Sequence, residues 1–180
     1  WQEGDIAYLR PSAEYDQKEY DELIQARPGQ RYGHLPPKAA GHPVIILRRL
    51  SPTSSHVLVT PVSAYSSGPY NDFLAPWKQP CHRRKRPADF RSFEGSEQYR
   101  CSLNLPTIRL RDGGAMPKPR TSWVNIQSAF VVPLSVIGTF IKSHRHLQLD
   151  GASLQELRSD MSARCTTWKQ VSAMLLSHEK

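Results

Sequence analysis

The most regular hydrophobic pattern in the chain is a pair of short apolar runs in its first third. Val44–Leu47 and Val57–Val59 are rich in β-branched residues, and the polar sequence SPTSS lies between them. Runs of this length and composition, bounded by turn residues, are typical of buried strands joined in a hairpin. A polar residue lies at each mouth of the pair, His42 before the first run and Ser63 after the second. The pattern therefore predicts a central hairpin with His42 and Ser63 together at its open end.

Similar patterns predict further strands on both sides of this hairpin. Gly4–Leu9 is interpreted as a first strand that ends before Pro11, because proline cannot donate a hydrogen bond to a neighbouring strand. Thr107–Arg111 alternates apolar and basic residues and ends in a glycine turn, which indicates a strand followed by a turn. Residues 122–133 predict two short strands or one bent strand.

The last third of the chain changes to helical patterns. A helix after residue 133 is predicted from apolar residues at helical spacing, namely Leu134, Ile137 and Ile141. Ser153 and Glu156 have the spacing of a capping box that opens a helix to about Ala163. A second box begins at Thr167 and precedes an apolar face that contains Trp168. We therefore expect a mainly β chain with a C-terminal helical region over about 150–180, an α+β class, in a single domain over 1–180.

Two long insertions, over about 12–40 and 64–120, interrupt this pattern. The first opens with a helix-forming stretch whose local net charge is −4, from five acidic residues between Glu14 and Glu22 against Lys18. The simpler interpretation is a solvated helix face. The alternative is an acidic segment that mimics or competes with a polyanion, and it would then lie over the end of the hairpin that carries His42 and Ser63.

The second insertion holds most of the excess positive charge. Between Lys78 and Arg120 there are eleven Lys or Arg and four Asp or Glu, a net charge of +7. Cations neutralise phosphates and aromatic rings stack on unpaired bases, so this mixture suits single-stranded nucleic acid. The candidate contacts are Arg83, Arg84, Lys85, Arg86, Arg91, Trp77 and Phe90. A nuclear-import signal or a solvated loop would explain the same basic run.

Overall composition narrows the classes of partner. The net charge of +8 and the pI near 9.6 favour polyanionic partners. Three widely spaced cysteines indicate a reducing, intracellular setting, cytoplasmic or nuclear, and no metal site or cofactor is predicted. The longest apolar run, Ala129–Ile141, is shorter than the roughly 20 residues of a membrane-spanning helix, so no membrane partner is expected.

The order of these elements resembles the MazF/PemK (Kid) family of toxin endoribonucleases. The resemblance rests on Gly4–Leu9, on Gly41–Ser63 with its GHPVIIL and VLVTPVS strands, and on about Thr121–Met161 with its SWVNIQ sequence. It implies an SH3-like β-barrel with a helix packed on it, usually as a homodimer. It also implies metal-independent cleavage of single-stranded RNA by attack of a 2′-hydroxyl group, in a toxin–antitoxin pair.

The resemblance assigns the site only in part. Gly41, His42 and Pro43 fill the family pattern of glycine, basic residue and proline, but His42 stands where arginine is usual, and Ser63 matches the family hydroxyl. His42 and Ser63 are therefore the candidate catalytic residues of a hydrolase that binds RNA. The alternatives are a non-catalytic module that uses the same groove for an acidic protein partner, and a scaffold whose basic insertion serves nuclear import.

Overall fold

In a computed structural model of the chain, residues 1–25, 34–82, 84–96 and 105–178 are described. Arg83, singled out above, lies outside the described residues. The strands are β1 (Ile6–Leu9), β2 (Pro43–Arg49), β3 (His56–Ser63), β4 (Phe90–Ser92), β5 (Trp123–Asn125), β6 (Phe130–Pro133) and β7 (Ile137–Gly138). The α-helices are α1 (Gln17–Leu23), α2 (Gly151–Arg164) and α3 (Thr166–His178). The chain is thus mainly antiparallel sheet with C-terminal helices, and the predicted α+β class is confirmed.

The predicted central hairpin is confirmed, and burial on both faces explains its continuous apolar sequence. Successive strand residues point to opposite faces. One face of β2 and β3, with Ile45 and Leu58, packs on α2 and α3 through residues such as Leu157 and Trp168. The other face packs on α1 and the chain around β6 and β7, in a cluster that includes Val44, Val59, Leu23, Ile24 and Val136. A sheet covered on both sides needs apolar residues at consecutive positions, as here.

The sheet is open, and β3 lies at its centre. Its strands follow the order β4-β5-β3-β2-β1-β7, with β6 paired to the first half of β3 and β5 to its end. A β-bulge interrupts the pairing of β2 with β3 between Ile46 and Arg48. The carbonyl of Leu47 in this bulge accepts a hydrogen bond of 2.9 Å from Nε of Arg158, which ties α2 to the hairpin.

Three local predictions are wrong or incomplete. The helix predicted after residue 133 is a 3₁₀ turn, Leu134–Val136, followed by β7, and Ile141 is 83% exposed instead of packed. The helix predicted at Ser153 begins earlier, because the side chain of Asp150 caps it and accepts from Ser153 N. The serine hydroxyl instead accepts a hydrogen bond from Arg109 N. Similarly, α3 already includes Thr166, so Thr167 does not cap it.

The second insertion contains short elements around many prolines. Four 3₁₀ turns before β4 in the described part of this insertion begin at proline, namely Pro69–Asn71, Pro76–Lys78, Pro80–His82 and Pro87–Asp89, and the last leads directly into β4. The strand predicted over Thr107–Arg111 is reduced to two isolated bridges, while the predicted turn after it is present as Arg111–Gly113. Within the described part of the chain, every helix is too short or too polar to cross a membrane.

Candidate functional site

His42 and Ser63 lie at the same open end of the central hairpin. The β2–β3 pairing reaches Val44 opposite Pro61, and two more residues along each strand bring His42 opposite Ser63. Both residues line one surface cavity with a volume of about 320 Å³. The hairpin therefore brings together the two side chains that the sequence singled out.

The turn into β2 holds His42 against the edge of β1. Gly41 has a φ of +76°, a left-handed conformation that side chains rarely adopt, so glycine suits this position. Gly41 N donates to the carbonyl of Leu9 at 2.8 Å, and Leu9 N donates to the carbonyl of His42 at 2.9 Å. These bonds fix the backbone from which the imidazole enters the cavity wall.

The electrostatic surroundings of His42 favour its neutral form. Burial lowers the pKa of the imidazole below its usual 6.5. A hydrogen bond to the backbone of Lys38 opposes this shift, whereas the positive charge of Lys142 adds to it. At neutral pH the ring is thus uncharged, and it can accept a proton while a permanent cation remains nearby.

Ser63 has a local backbone partner. Its Oγ accepts a hydrogen bond of 3.2 Å from Tyr65 N, at the point where the chain leaves β3. Ser63 is also paired with Trp123 in the β3–β5 ladder. The hydroxyl hydrogen is not used by this contact, so Ser63 can still donate one hydrogen bond into the cavity.

The rest of the cavity wall is cationic, hydroxyl-rich and apolar. Lys118 and Lys142 are exposed at its rim, and the described residues that line it include no Asp or Glu. Hydroxyl groups come from Tyr8, Ser63, Ser66 and Thr121, whereas the Ser122 hydroxyl already donates to the carbonyl of Lys118 at 2.8 Å. Apolar surface comes from Val62, Met116, Pro117 and Phe140. Two cations, several donors and an apolar surface without carboxylates suit an anionic ligand that also carries a flat or apolar group.

Sequence reasoning did not single out the two lysines. Lys118 was only one charge among eleven in the second insertion, and Lys142 follows the apolar run that was interpreted as a helix. Because that run forms β7 and a bend instead of a helix, Lys142 turns toward β2 and reaches the cavity. The available signal was the TFIKSHRH sequence, which is basic and has no acidic residue.

The acidic helix α1 lies away from the cavity. Leu23 and Ile24 pack in the second hydrophobic cluster, and Glu22 Oε1 is 2.7 Å from Nε2 of His56, at the opposite end of β3 from Ser63. Glu19 pairs with Arg10 at 3.1 Å. Since none of residues 12–25 lines the cavity, α1 does not cover His42 and Ser63.

The predicted basic run is divided between surface and interior. Arg84 is exposed, and Arg86 is exposed with its Nε 3.5 Å from Asp89. Lys85 is half-buried, with its Nζ 4.7 Å from the ring centre of Tyr65 and 5.5 Å from that of Phe90. Arg84 and Arg86 thus keep a surface that a polyanion can reach, while Lys85 is turned toward aromatic rings of its own chain.

The two aromatic residues predicted to stack on bases pack on their own chain instead. Phe90 is buried, and its ring lies 5.1 Å from Tyr65 and 5.9 Å from Trp77. Trp77 is half-buried and meets Trp123 edge to face at 5.4 Å. These four rings and Ala75 form a small separate core, called here the aromatic cluster. Phe90 therefore has no exposed face on which a base could stack. Of the two predicted aromatic contacts, only Trp77 keeps an exposed part.

Arg91 is also taken out of the candidate surface. Its side chain is 5% exposed and its Nε donates to Asp160 Oδ2 of α2 at 2.6 Å. Nη1 donates to the carbonyls of Ala88 and Phe90 at 3.1 and 2.8 Å. A guanidinium group enclosed in this way fastens the second insertion to the C-terminal helices and has no surface left for RNA.

Comparison with protein-family models, with curated proteins and with solved structures found no match for this chain.

Proposed function

We propose that this chain is a MazF/PemK-like protein that binds single-stranded RNA in the cavity between His42 and Ser63. The observation that carries the proposal is the charge of the cavity wall. Lys118 and Lys142 stand at its rim, no carboxylate lines it among the described residues, and apolar surface lies beside them. A phosphate of the RNA would pair with the two lysines, and the neighbouring base would pack on the apolar surface.

The strand pairings support the finer fold proposal, an SH3-like β-barrel of MazF/PemK type. β6 pairs with β3, and β7 pairs with β1 on the other side of the hairpin. Only the 3₁₀ turn Leu134–Val136 separates β6 from β7. The chain from β6 to β7 therefore passes from the β3 side of the hairpin to β1, although β6 and β7 are not paired with each other among the described residues. This connection supports the proposal of a small, partly open barrel.

The binding test is a salt titration with single-stranded RNA octamers of random sequence, followed by fluorescence anisotropy. Each neutralised phosphate contributes about 0.7 to the slope of log affinity against log salt for a single strand. The double variant Lys118→Ala/Lys142→Ala should therefore flatten the slope by about 1.4. The matched control, Lys18→Ala/Lys169→Ala, removes the same charge from exposed positions outside the cavity and should leave the slope unchanged.

Two outcomes would remove the proposal. One is the absence of binding at low ionic strength, and the other is an equal slope for the cavity variant and the control. A third outcome redirects it: if a poly-glutamate peptide displaces RNA at equal concentration of charges, the cavity belongs to an acidic protein partner. The same salt series run with poly-glutamate alone separates these cases.

The neutral imidazole beside a lysine favours a second candidate function, metal-independent cleavage of the bound RNA. In this reaction the 2′-oxygen attacks the adjacent phosphorus, its proton passes to His42, and the bond to the 5′-oxygen breaks, with a proton from water completing the leaving group. Lys142 would offset the charge that develops on the phosphorane, and the Ser63 hydroxyl would donate to one of its oxygens. Lys142 thereby supplies the permanent cation that His42 lacks.

The cleavage test follows labelled RNA octamers on gels. His42→Ala should reduce the rate by about 10²–10⁴-fold, the range for a general base, and Ser63→Ala should reduce it less. His34→Ala, an exposed histidine outside the cavity, is the control and should change nothing. Because burial lowers the pKa of His42, the rate should rise with pH through a value below 6.5 and then level off. Activity should survive chelators. His42→Arg restores the arginine that is usual at this position in the MazF/PemK family. If neither the parent nor His42→Arg cleaves RNA, the chain is a binding module only.

A further inference from the structure

A second cavity adjoins the first and has the same kind of wall. Its volume is about 260 Å³, and Phe140 lines both cavities. Its other walls include Trp1, Ile6, His144 and Arg145. None of these residues belongs to the site described above, apart from the shared ring of Phe140.

The loop between the two cavities is fastened to β1 at both ends. On one side Gly138 of β7 pairs with Tyr8, and on the other Ile6 N donates to the carbonyl of Leu147 at 2.8 Å. Within the loop, the Ser143 hydroxyl donates to the carbonyl of Arg145 at 2.7 Å. These hydrogen bonds therefore fix the backbone of the loop that carries the basic side chains.

Positive charge from this loop is divided between the cavities. Residues 139–147 contain Lys142 and Arg145 with two histidines and no acidic residue. Lys142 lines the first cavity and Arg145 lines the second. Asp5 is buried beside the loop, where its Oδ2 accepts from Gln2 N at 2.7 Å. Its Oδ1 lies 3.2 Å from Nε2 of His146, without a hydrogen bond. The cation at Arg145 thus faces the second cavity without a carboxylate lining that cavity.

Trp1 supplies the aromatic surface of the second cavity. It is 39% exposed, whereas Trp123 and Trp168 are buried and Trp77 packs in the aromatic cluster. An exposed indole next to an exposed guanidinium group is the combination that stacks on an unpaired base and pairs with its phosphate. A cation in each cavity, with a shared ring between them, suits two consecutive nucleotides of one strand.

We propose that the second cavity is a stacking subsite for the nucleotide next to the one held between His42 and Ser63, with the base on Trp1 and the phosphate at Arg145. This proposal rests on the proposed function, since it extends the same RNA strand. The ligand is single-stranded RNA, and the fluorescence of Trp1 should report its binding.

The test uses random RNA octamers and, as a probe of one nucleotide, a mixture of the four nucleoside 3′,5′-bisphosphates. Octamers should quench tryptophan fluorescence of the parent. Trp1→Phe should lose the quench but keep its affinity, because phenylalanine still stacks. Trp1→Ala should weaken octamer binding by about 5- to 150-fold, the range for losing one stacked base. Binding of the bisphosphates should be unchanged in Trp1→Ala and weakened in Lys142→Ala.

Matched controls separate a site effect from a general one. Tyr70→Ala removes an aromatic side chain that is 76% exposed and lines neither cavity, and Lys169→Ala removes a cation elsewhere. If Trp1→Ala and Arg145→Ala match these controls while Lys142→Ala still weakens octamer binding, the subsite is refuted and the proposed function stands. If octamers do not bind, or bind without dependence on Lys142, both proposals are overturned.

Discussion

The aromatic cluster and the pair of cavities use similar residues in opposite ways. In the cluster, Tyr65, Trp77, Phe90 and Trp123 lie against one another, and Lys85 lies over two of their rings. In the cavities, Lys142 and Arg145 line open space beside Phe140. A cation thus packs on aromatic rings of its own chain in one region, whereas in the other the cations are exposed and Trp1 is the exposed ring.

The difference follows from what each segment can pack against. The described part of the second insertion has short 3₁₀ turns and one short strand, β4, and contributes few aliphatic residues to the main clusters. Large rings bury much apolar area per residue, so a few of them give these loops a core of their own. The loop 139–147, in contrast, is held by β1 and β7 and does not need its polar side chains for packing.

Tyr65 connects the two regions. Tyr65 lines the first cavity. The centre of its ring lies 5.1 Å from that of Phe90 and 4.7 Å from Nζ of Lys85. Burial raises the pKa of its phenol to about 12, so it stays uncharged at physiological pH. A change inside the aromatic cluster can therefore move one wall of the cavity without removing any group that faces a ligand.

The largest effect that would sharpen this comparison concerns Arg91. Arg91→Ala should lower the free energy of unfolding by about 3 kcal/mol, the low end of the range for removing one partner of a buried ion pair. The low end is expected because Asp160 is 28% exposed. Urea unfolding measures the change. Below the unfolding transition, the salt slope of RNA binding should equal that of the parent.

Arg84→Ala is the matched control for this prediction, because Arg84 is exposed in the same insertion. It should change the free energy of unfolding by less than about 0.5 kcal/mol. If Arg91→Ala leaves the free energy of unfolding unchanged but flattens the salt slope of RNA binding, Arg91 contacts phosphate and not Asp160. The contrast between the two regions would then be wrong.

The core of the fold was predictable because its signals are local. The apolar runs of β2 and β3, separated by a turn-rich sequence, indicate a hairpin whatever covers them. The pairing partners of β6 and β7 were not predictable, because they depend on which strand edges of the sheet remain unpaired. For this reason the spacing of Ile137 predicts a helix, although Ile137 lies in β7 and pairs with Leu9. Asp150 rather than Ser153 caps α2 for a similar reason, since Ser153 is engaged by Arg109.

The candidate site was predictable only where the hairpin defines it. His42 and Ser63 follow from the register of two strands that are neighbours in sequence. Lys118 and Lys142 reach the same cavity from segments far away along the chain, and no local pattern marks them. Composition also cannot distinguish a ring that stacks on a base from one that packs on its own chain, and Phe90 is the example of that ambiguity.

The smallest effect in the comparison concerns Lys85, the cation of the aromatic cluster. Burial lowers the pKa of its ammonium group, which means that removing the charge from water costs free energy. The attraction of the ammonium group to the two rings offsets about 0.5–1 kcal/mol of this cost. Lys85→Met removes both, and the free energy of unfolding measured in urea should change by less than about 1 kcal/mol. The salt slope of RNA binding should equal that of the control Lys18→Met, whereas Lys142→Met should flatten it by about 0.7. If Lys85→Met also flattens the slope by about 0.7, Lys85 contacts a phosphate of the RNA. The two regions would then form one continuous RNA surface joined through Tyr65, and the contrast between them would be lost.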